Sequence, residues 1–93
     1  MDIKIKLNEN ENEAQAFDGE KKIGFCQYED RDGNYVITHT VVAREYGGQG
    51  LAGKLVDTVV EKAREEGKKI FPLCSYAVKK FDESEEYSDV DAR

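Results

Sequence analysis

The chain has 93 residues, of which 39% are hydrophobic and 37% charged, and a net charge of −6. This is enough for one small domain with a thin core, and no run of 18 apolar residues is present to cross a membrane as a helix. The acidic balance argues against nucleic acid and anionic membranes as partners and suits a cationic amine.

The first half reads as strands. Ile3, Ile5 and Leu7 alternate with Lys4 and Lys6, the period of two that a half-buried strand requires. The polar run Asn8 to Asn12 suits a turn, and Ala14 to Phe17 makes a second short strand. Asp18-Gly19 and Asp32-Gly33 are hairpin signals. Between them Ile23 and Phe25, with Cys26 and Tyr28 on the other face, form a third strand. In the fourth, Tyr35, Ile37, His39 and Val41 alternate with Val36, Thr38, Thr40 and Val42. The β-branched density from Val36 to Val42 predicts a strand buried on both faces, with His39 a satisfied core histidine.

A glycine-rich segment follows: Gly47, Gly48, Gln49, Gly50, Leu51, Ala52 and Gly53. Behind it Leu51, Leu55, Val59 and Ala63, flanked by Val56 and Val60, give the apolar stripe of an amphipathic helix that stops at Gly67. The first N–H groups of such a helix have no intrahelical partner and stand at the positive end of its dipole, which suits a phosphate. Two nucleotide motifs overlap here and fail on context. Gly48 to Gly53 matches G-x-G-x-x-G, but no acidic residue ends the following strand. Gly48 to Lys54 matches G-x-x-x-x-G-K, but Leu55 stands where magnesium needs Ser or Thr.

Lys69 to Leu73 is a short fifth strand, parallel to the fourth across the helix. Pro72 cannot donate to a ladder, so the strand is an edge there or loses a neighbour, and where the fourth and fifth strands splay apart a slot opens with backbone groups left unpaired. A short helix is expected from Ser75 to Phe81, and residues 83–93 are expected to form an acidic, frayed tail. Cys26 and Cys74 show no metal spacing, so no metal site is expected, and reduced thiols in the cytoplasm are the default.

Val36 to Val42, then Gly48-Gln49-Gly50-Leu51-Ala52, then Pro72-Leu73-Cys74-Ser75-Tyr76 occur in an order and spacing that resemble the small single-domain, YjdJ-like branch of the GCN5-related N-acetyltransferases. The likeness spans roughly Phe17 to Tyr87. Gly50 and Ala52 match the last anchors of that family's pyrophosphate loop, Arg/Gln-x-x-Gly-x-Gly/Ala, and Gly47 replaces its Arg or Gln. Glu85-Glu86-Tyr87 keeps only the end of the branch's His-Pro-Glu-Tyr-like segment. The resemblance implies one α+β domain over 1–93, with a mostly antiparallel sheet of about five strands, a βαβ crossover and a short C-terminal helix. It also implies acetyl-CoA bound at Val41 to Ala43, Gly47 to Gly53, Cys74 and Ser75, and transfer of acetyl to an unidentified amine, whether small molecule, polyamine or protein. Cys74 or Tyr76 would then serve as proton donor, Cys74 alternatively as acetyl carrier, and His39 as a base through water. The alternative is a non-catalytic CoA-binding or protein-interaction module with the same fold.

Overall fold

The computed structural model describes residues 2–93. One five-stranded sheet runs in the order β1-β2-β3-β4-β5, from Ile3–Asn8, Glu13–Asp18, Lys21–Arg31, Asn34–Val42 and Ile70–Pro72. The first four strands are antiparallel neighbours and β5 is parallel to β4, as a helical crossover requires. At the β3–β4 turn Asp32 and Gly33 have φ of 53° and 84°, the two positive values that a type I′ hairpin needs.

Helix α1 (Leu51–Glu66) lies across one face of the sheet, and α2 (Ser75–Glu83) packs beside it. Leu55, Val56, Val59 and Val60 are sealed against Ala14, Ala16, Cys26 and Ile37. Each such side chain contributes about 1.5–3 kcal/mol of burial. The two helices adjoin: Tyr87 Oη donates to Asp57 Oδ1 of α1 at 2.5 Å and its ring stacks on Phe81 of α2. No helix among the described residues is long and apolar enough to cross a membrane.

Two expectations need correction. β4 is buried on both faces only over Tyr35, Val36 and Ile37; His39 and Val41 are exposed, because both helices lie on the face toward Thr40 and Val42 and nothing covers the other. The C-terminal segment is not frayed. Tyr87 and Val90 are each 2% exposed, Ile70 N–H donates to Val90 O, and Ala92 N–H donates to Ile70 O. Arg64 pins the segment to α1 through Asp89 and the Glu86 carbonyl.

Candidate functional site: a gap between β4 and β5

Strands β4 and β5 pair for three residues only, Tyr35 with Ile70, Val36 with Phe71 and Ile37 with Pro72. The N–H groups of Leu73 and Cys74 then both donate to Ile37 O, at 2.9 and 3.2 Å, and the chains part. Pro72 is one cause of the splay. The other was not visible in the sequence: along β4 the β3 register jumps from His39↔Gln27 to Ile37↔Tyr28, which leaves Thr38 as an extra residue. Such a bulge bends its strand and sharpens the local twist, turning the rest of β4 away from β5.

Beyond the bulge, strand alternation assigns the backbone. Ala43 N–H donates to Ile23 O at 2.8 Å, and Val41 O faces Gly24 on β3. Backbone groups on the gap side therefore belong to Thr40 and Val42. Of the three residues expected to offer backbone, Val42 does so, whereas Val41 faces β3 and Ala43 gives its N–H to Ile23 on β3 and its carbonyl to Tyr46 N–H.

The gap leads to the glycine loop. A 3₁₀ turn at Arg44–Tyr46 leaves β4, held to β2 by Tyr46 Oη donating to Asp18 at 2.5 Å. Gly47 is extended (φ −66°, ψ 158°) and its N–H is taken by Arg44 O. Gly48 and Gly50 have φ of 78° and 74° with nothing within 4 Å of where a Cβ would stand. Gly50 caps α1 with no side-chain hydrogen bond, and the first helical bond is Lys54 N–H to Gly50 O. The N–H groups of Leu51, Ala52 and Gly53 thus lack intrahelical partners and face an open, glycine-lined approach. Gln49 is exposed beside them.

On the other wall, Cys74 caps α2: Ala77 N–H donates to its Sγ at 3.4 Å, and Thr40 Oγ1 stands 3.3 Å from the same sulfur. Ser75, the first residue of α2, is exposed next to it. Thr40 Oγ1 also donates to Cys26 Sγ at 3.6 Å. Cys26 is fully buried, as its reading as a core residue required, and burial raises its thiol pKa to about 12. Tyr76 is 40% exposed, and its hydroxyl would stand 3.3 Å from a Cβ on Gly53. It is therefore at the first turn of α1. Desolvation, then Asp57 and Cys74, raise its pKa, which keeps the phenol protonated. Lys80 Nζ occupies the same place, 3.3 Å from that Cβ position and 3.8 Å from Asp57 Oδ1. The sequence carried no signal for Lys80, because a lysine one turn along a short helix reads as solvated.

His39 is not the core histidine expected from its apolar strand. It is exposed on the uncovered face of the sheet, with Nδ1 3.0 Å from Gln27 Oε1. The structure thus gathers Thr40, Val42, Cys74, Ser75, Tyr76 and the Gly47–Gly53 loop around one gap and sets His39 on its outer side.

Residues 12–90 match the family model described as GCN5-related N-acetyl-transferase. A GCN5-like protein from Staphylococcus aureus superposes with a TM-score of 0.77 at 36% identity, over 95% of this chain and 86% of that one. The ribosomal-protein-S18-alanine N-acetyltransferase of Escherichia coli has a TM-score of 0.65 at 14% identity, over 76% of this chain and 49% of that one. A GNAT family acetyltransferase from Elizabethkingia anophelis with acetyl-CoA bound has a TM-score of 0.61 at 20% identity, over 82% and 53%. The chain is thus similar to about half the length of the two larger enzymes. No curated protein matches it.

Proposed function

The chain belongs to the GCN5-related N-acetyltransferase family, and from that premise we propose that it binds acetyl-CoA in the gap between β4 and β5 and transfers the acetyl group to an amine by direct attack. One observation carries the reading: a strand gap with unpaired backbone at Thr40 and Val42 runs straight into an uncapped, glycine-lined helix N-terminus. The neighbour with acetyl-CoA bound shares the fold and supports the choice of ligand.

The residues suit each part of that substrate. The N–H groups of Leu51, Ala52 and Gly53 meet the pyrophosphate at the positive end of α1. The amides of the pantetheine arm extend the sheet along Thr40 and Val42, as an added strand does. The thioester then lies between Thr40 and Cys74. The amine nitrogen attacks the carbonyl carbon, the C–S bond breaks with its electron pair on sulfur, and the thiolate takes a proton from Tyr76 or Cys74. The Tyr76 phenol suits that role, because desolvation keeps it protonated until a thiolate forms to take its proton.

The experiment is a titration with acetyl-CoA and with CoA, followed by incubation with a panel of primary amines, polyamines and lysine peptides and mass analysis of the products. Micromolar or weaker binding, about −8 kcal/mol or less favourable, with acetylation of at least one amine, supports the reading. Binding with no transfer to any amine supports the second reading, a CoA-binding module without turnover. That reading is favoured by Gly47, which leaves the position of the family's Arg or Gln anchor without a side chain.

A further inference from the structure

The uncovered face of the sheet carries a pair that the gap does not explain. His39 Nδ1 stands 3.0 Å from Gln27 Oε1, and the same oxygen lies 3.4 Å from Thr38 Oγ1. Thr38 and His39 are the residues at which the bulge shifts the β4 register, so the distortion that opens the gap also sets both side chains against one amide oxygen. That oxygen only accepts hydrogen bonds. Nδ1 must therefore carry the proton and donate it, which leaves the lone pair of the neutral ring on Nε2. Thr38 Oγ1 adds to the cluster, its one proton shared between Gln27 O at 3.3 Å and Gln27 Oε1.

We infer that Gln27 is a positioning residue that holds His39 with Nε2 free, and that His39 takes the proton from the acceptor amine as it enters across the open face. This rests on the transferase reading above. Two features of the site support it. His39 is two residues past Ile37, where β5 pairing ends, so it borders the gap. It also points to the face opposite Thr40 and Cys74. An amine arriving from the His39 side meets the carbonyl from the face away from Cys74 and α2, so proton removal and leaving-group protonation do not compete for one space.

The step balances. The ammonium R–NH3+ gives one proton to Nε2 and becomes R–NH2. Its lone pair forms the C–N bond while the C–S pair leaves on sulfur. The nitrogen then sheds a second proton as the thiolate gains one, and His39 returns its proton to water. The charged groups on the open face of β3 are already paired: Glu29 with Arg31 at 3.1 Å, and Lys22 with Glu13 at 2.6 Å. Phe71 on β5 and Leu73 just after it are exposed and carry no charge.

The test uses the full chain and three variants, His39→Gln, Gln27→Leu and Gln27→Glu. Nitrogen-15 spectra of the imidazole above its titration should show Nδ1 protonated in the parent, and a shift toward the Nε2-protonated form in Gln27→Leu. Acetyl transfer should fall about 100-fold or more in His39→Gln and about tenfold in Gln27→Leu, with acetyl-CoA affinity unchanged in both. In Gln27→Glu the acidic limb of kcat/KM should move to higher pH, because a carboxylate at Nδ1 stabilises the charged ring. A parent imidazole protonated on Nε2, or an active parent whose His39→Gln variant keeps its rate, overturns this assignment alone. A parent that binds acetyl-CoA and acetylates no amine overturns the transferase reading, and this assignment with it.

Discussion

Thr40 Oγ1 lies 3.3 Å from Cys74 Sγ, across the mouth of the gap between β4 and β5. Ala77 N–H donates to Cys74 Sγ, and either Thr40 or Cys74 donates in the contact between them. Cys74 therefore stands at the mouth of the gap as a sulfur that can give a proton or attack, and direct transfer asks only the first of it. Cys74→Ala is therefore expected to keep CoA binding within about tenfold, roughly 1.4 kcal/mol, while slowing transfer. Rapid, stoichiometric acetylation of Cys74 that an amine chases off would establish the covalent route instead, and full activity in Cys74→Ala would reduce the residue to packing.

Cys26 supplies a pH dependence of stability. Burial raises its thiol pKa from 9.0 to about 12. Between those values the unfolded chain has lost the proton and the folded chain keeps it, so stability falls as pH rises above 9 and is unaffected below. The slope approaches about 1.4 kcal/mol per pH unit at most. Urea unfolding of the parent and of Cys26→Ala from pH 8 to 10.5 checks this. The variant starts lower because of its cavity, and the two curves should converge as pH rises. Parallel curves would mean that Cys26 ionises in the folded state as it does unfolded.

The C-terminal segment should behave as part of the core. Tyr87 is stacked on Phe81 at 4.8 Å and bonded to Asp57, and Val90 is sealed beside Ile70. Tyr87→Ala should cost about 3–5 kcal/mol, a large share of a small domain's stability, read as a fall in the urea midpoint. Arg64→Ala should cost far less, since its pairs are on the surface. Arg64 holds the Asp89 carboxyl below its ordinary value. That small contribution is present above about pH 4 and fades as pH falls through the lowered value. Hydrogen exchange at Ile70 and Ala92, whose N–H groups bond across this edge, should quicken there first.

What the sequence revealed of the fold follows from which interactions are local. Ile3-Ile5-Leu7, Asp32-Gly33 and the stripe from Leu51 to Ala63 each state their structure within a few residues, and the sheet and α1 follow from them. The motif from Gly47 to Gly53 and Pro72 likewise located the loop and the splay. The misreadings lie where the outcome depends on a partner remote in sequence. His39 sits in the same apolar alternation as Ile37, but the bulge at Thr38 turns it to the face opposite Ile37, which no helix covers. Residues 83–93 are polar enough to read as tail, yet Tyr87 and Val90 find a seam between Ile70, Phe81 and Asp57 that exists only after α1 and α2 have packed. The bulge at Thr38 is a mismatch of register with β3 and has no signature in β4 itself.

The glycine loop separates ligand binding from stability. Gly50 has φ 74° and empty space where a Cβ would stand. Gly50→Val therefore meets no clash in the free protein and bears only backbone strain, about 1–2 kcal/mol, or roughly 5–15 °C in Tm for a domain of this size. A phosphate seated on the N–H groups of α1 would collide with the new side chain. Gly33→Val is the matched control, with φ 84° and equal room at the far end of β4. Both variants should melt lower by similar amounts, and only Gly50→Val should lose CoA binding, by more than tenfold in calorimetry. Equal affinity in the two would move the site elsewhere.

Gly47 stands where the family carries Arg or Gln, and its backbone accepts the replacement. Its φ of −66° and ψ of 158° are open to any residue, and the one close neighbour of an added Cβ is Arg44 O at 3.2 Å, a gap that a few tenths of an ångström relieves. The guanidinium of Gly47→Arg would start from the residue just before Gly48, within reach of an anion seated at the first turn of α1. A charge-assisted hydrogen bond of this kind is worth about 1.5–3 kcal/mol before solvent losses. CoA should then bind about tenfold or more tightly, and the gain should shrink as salt rises, since the contact is exposed. Dephospho-CoA, which keeps the pyrophosphate and lacks the 3′-phosphate, should gain as much if the new contact is to the pyrophosphate. An unchanged affinity for both would show that the anion does not lie beside Gly47, and with it that the loop is not the phosphate site.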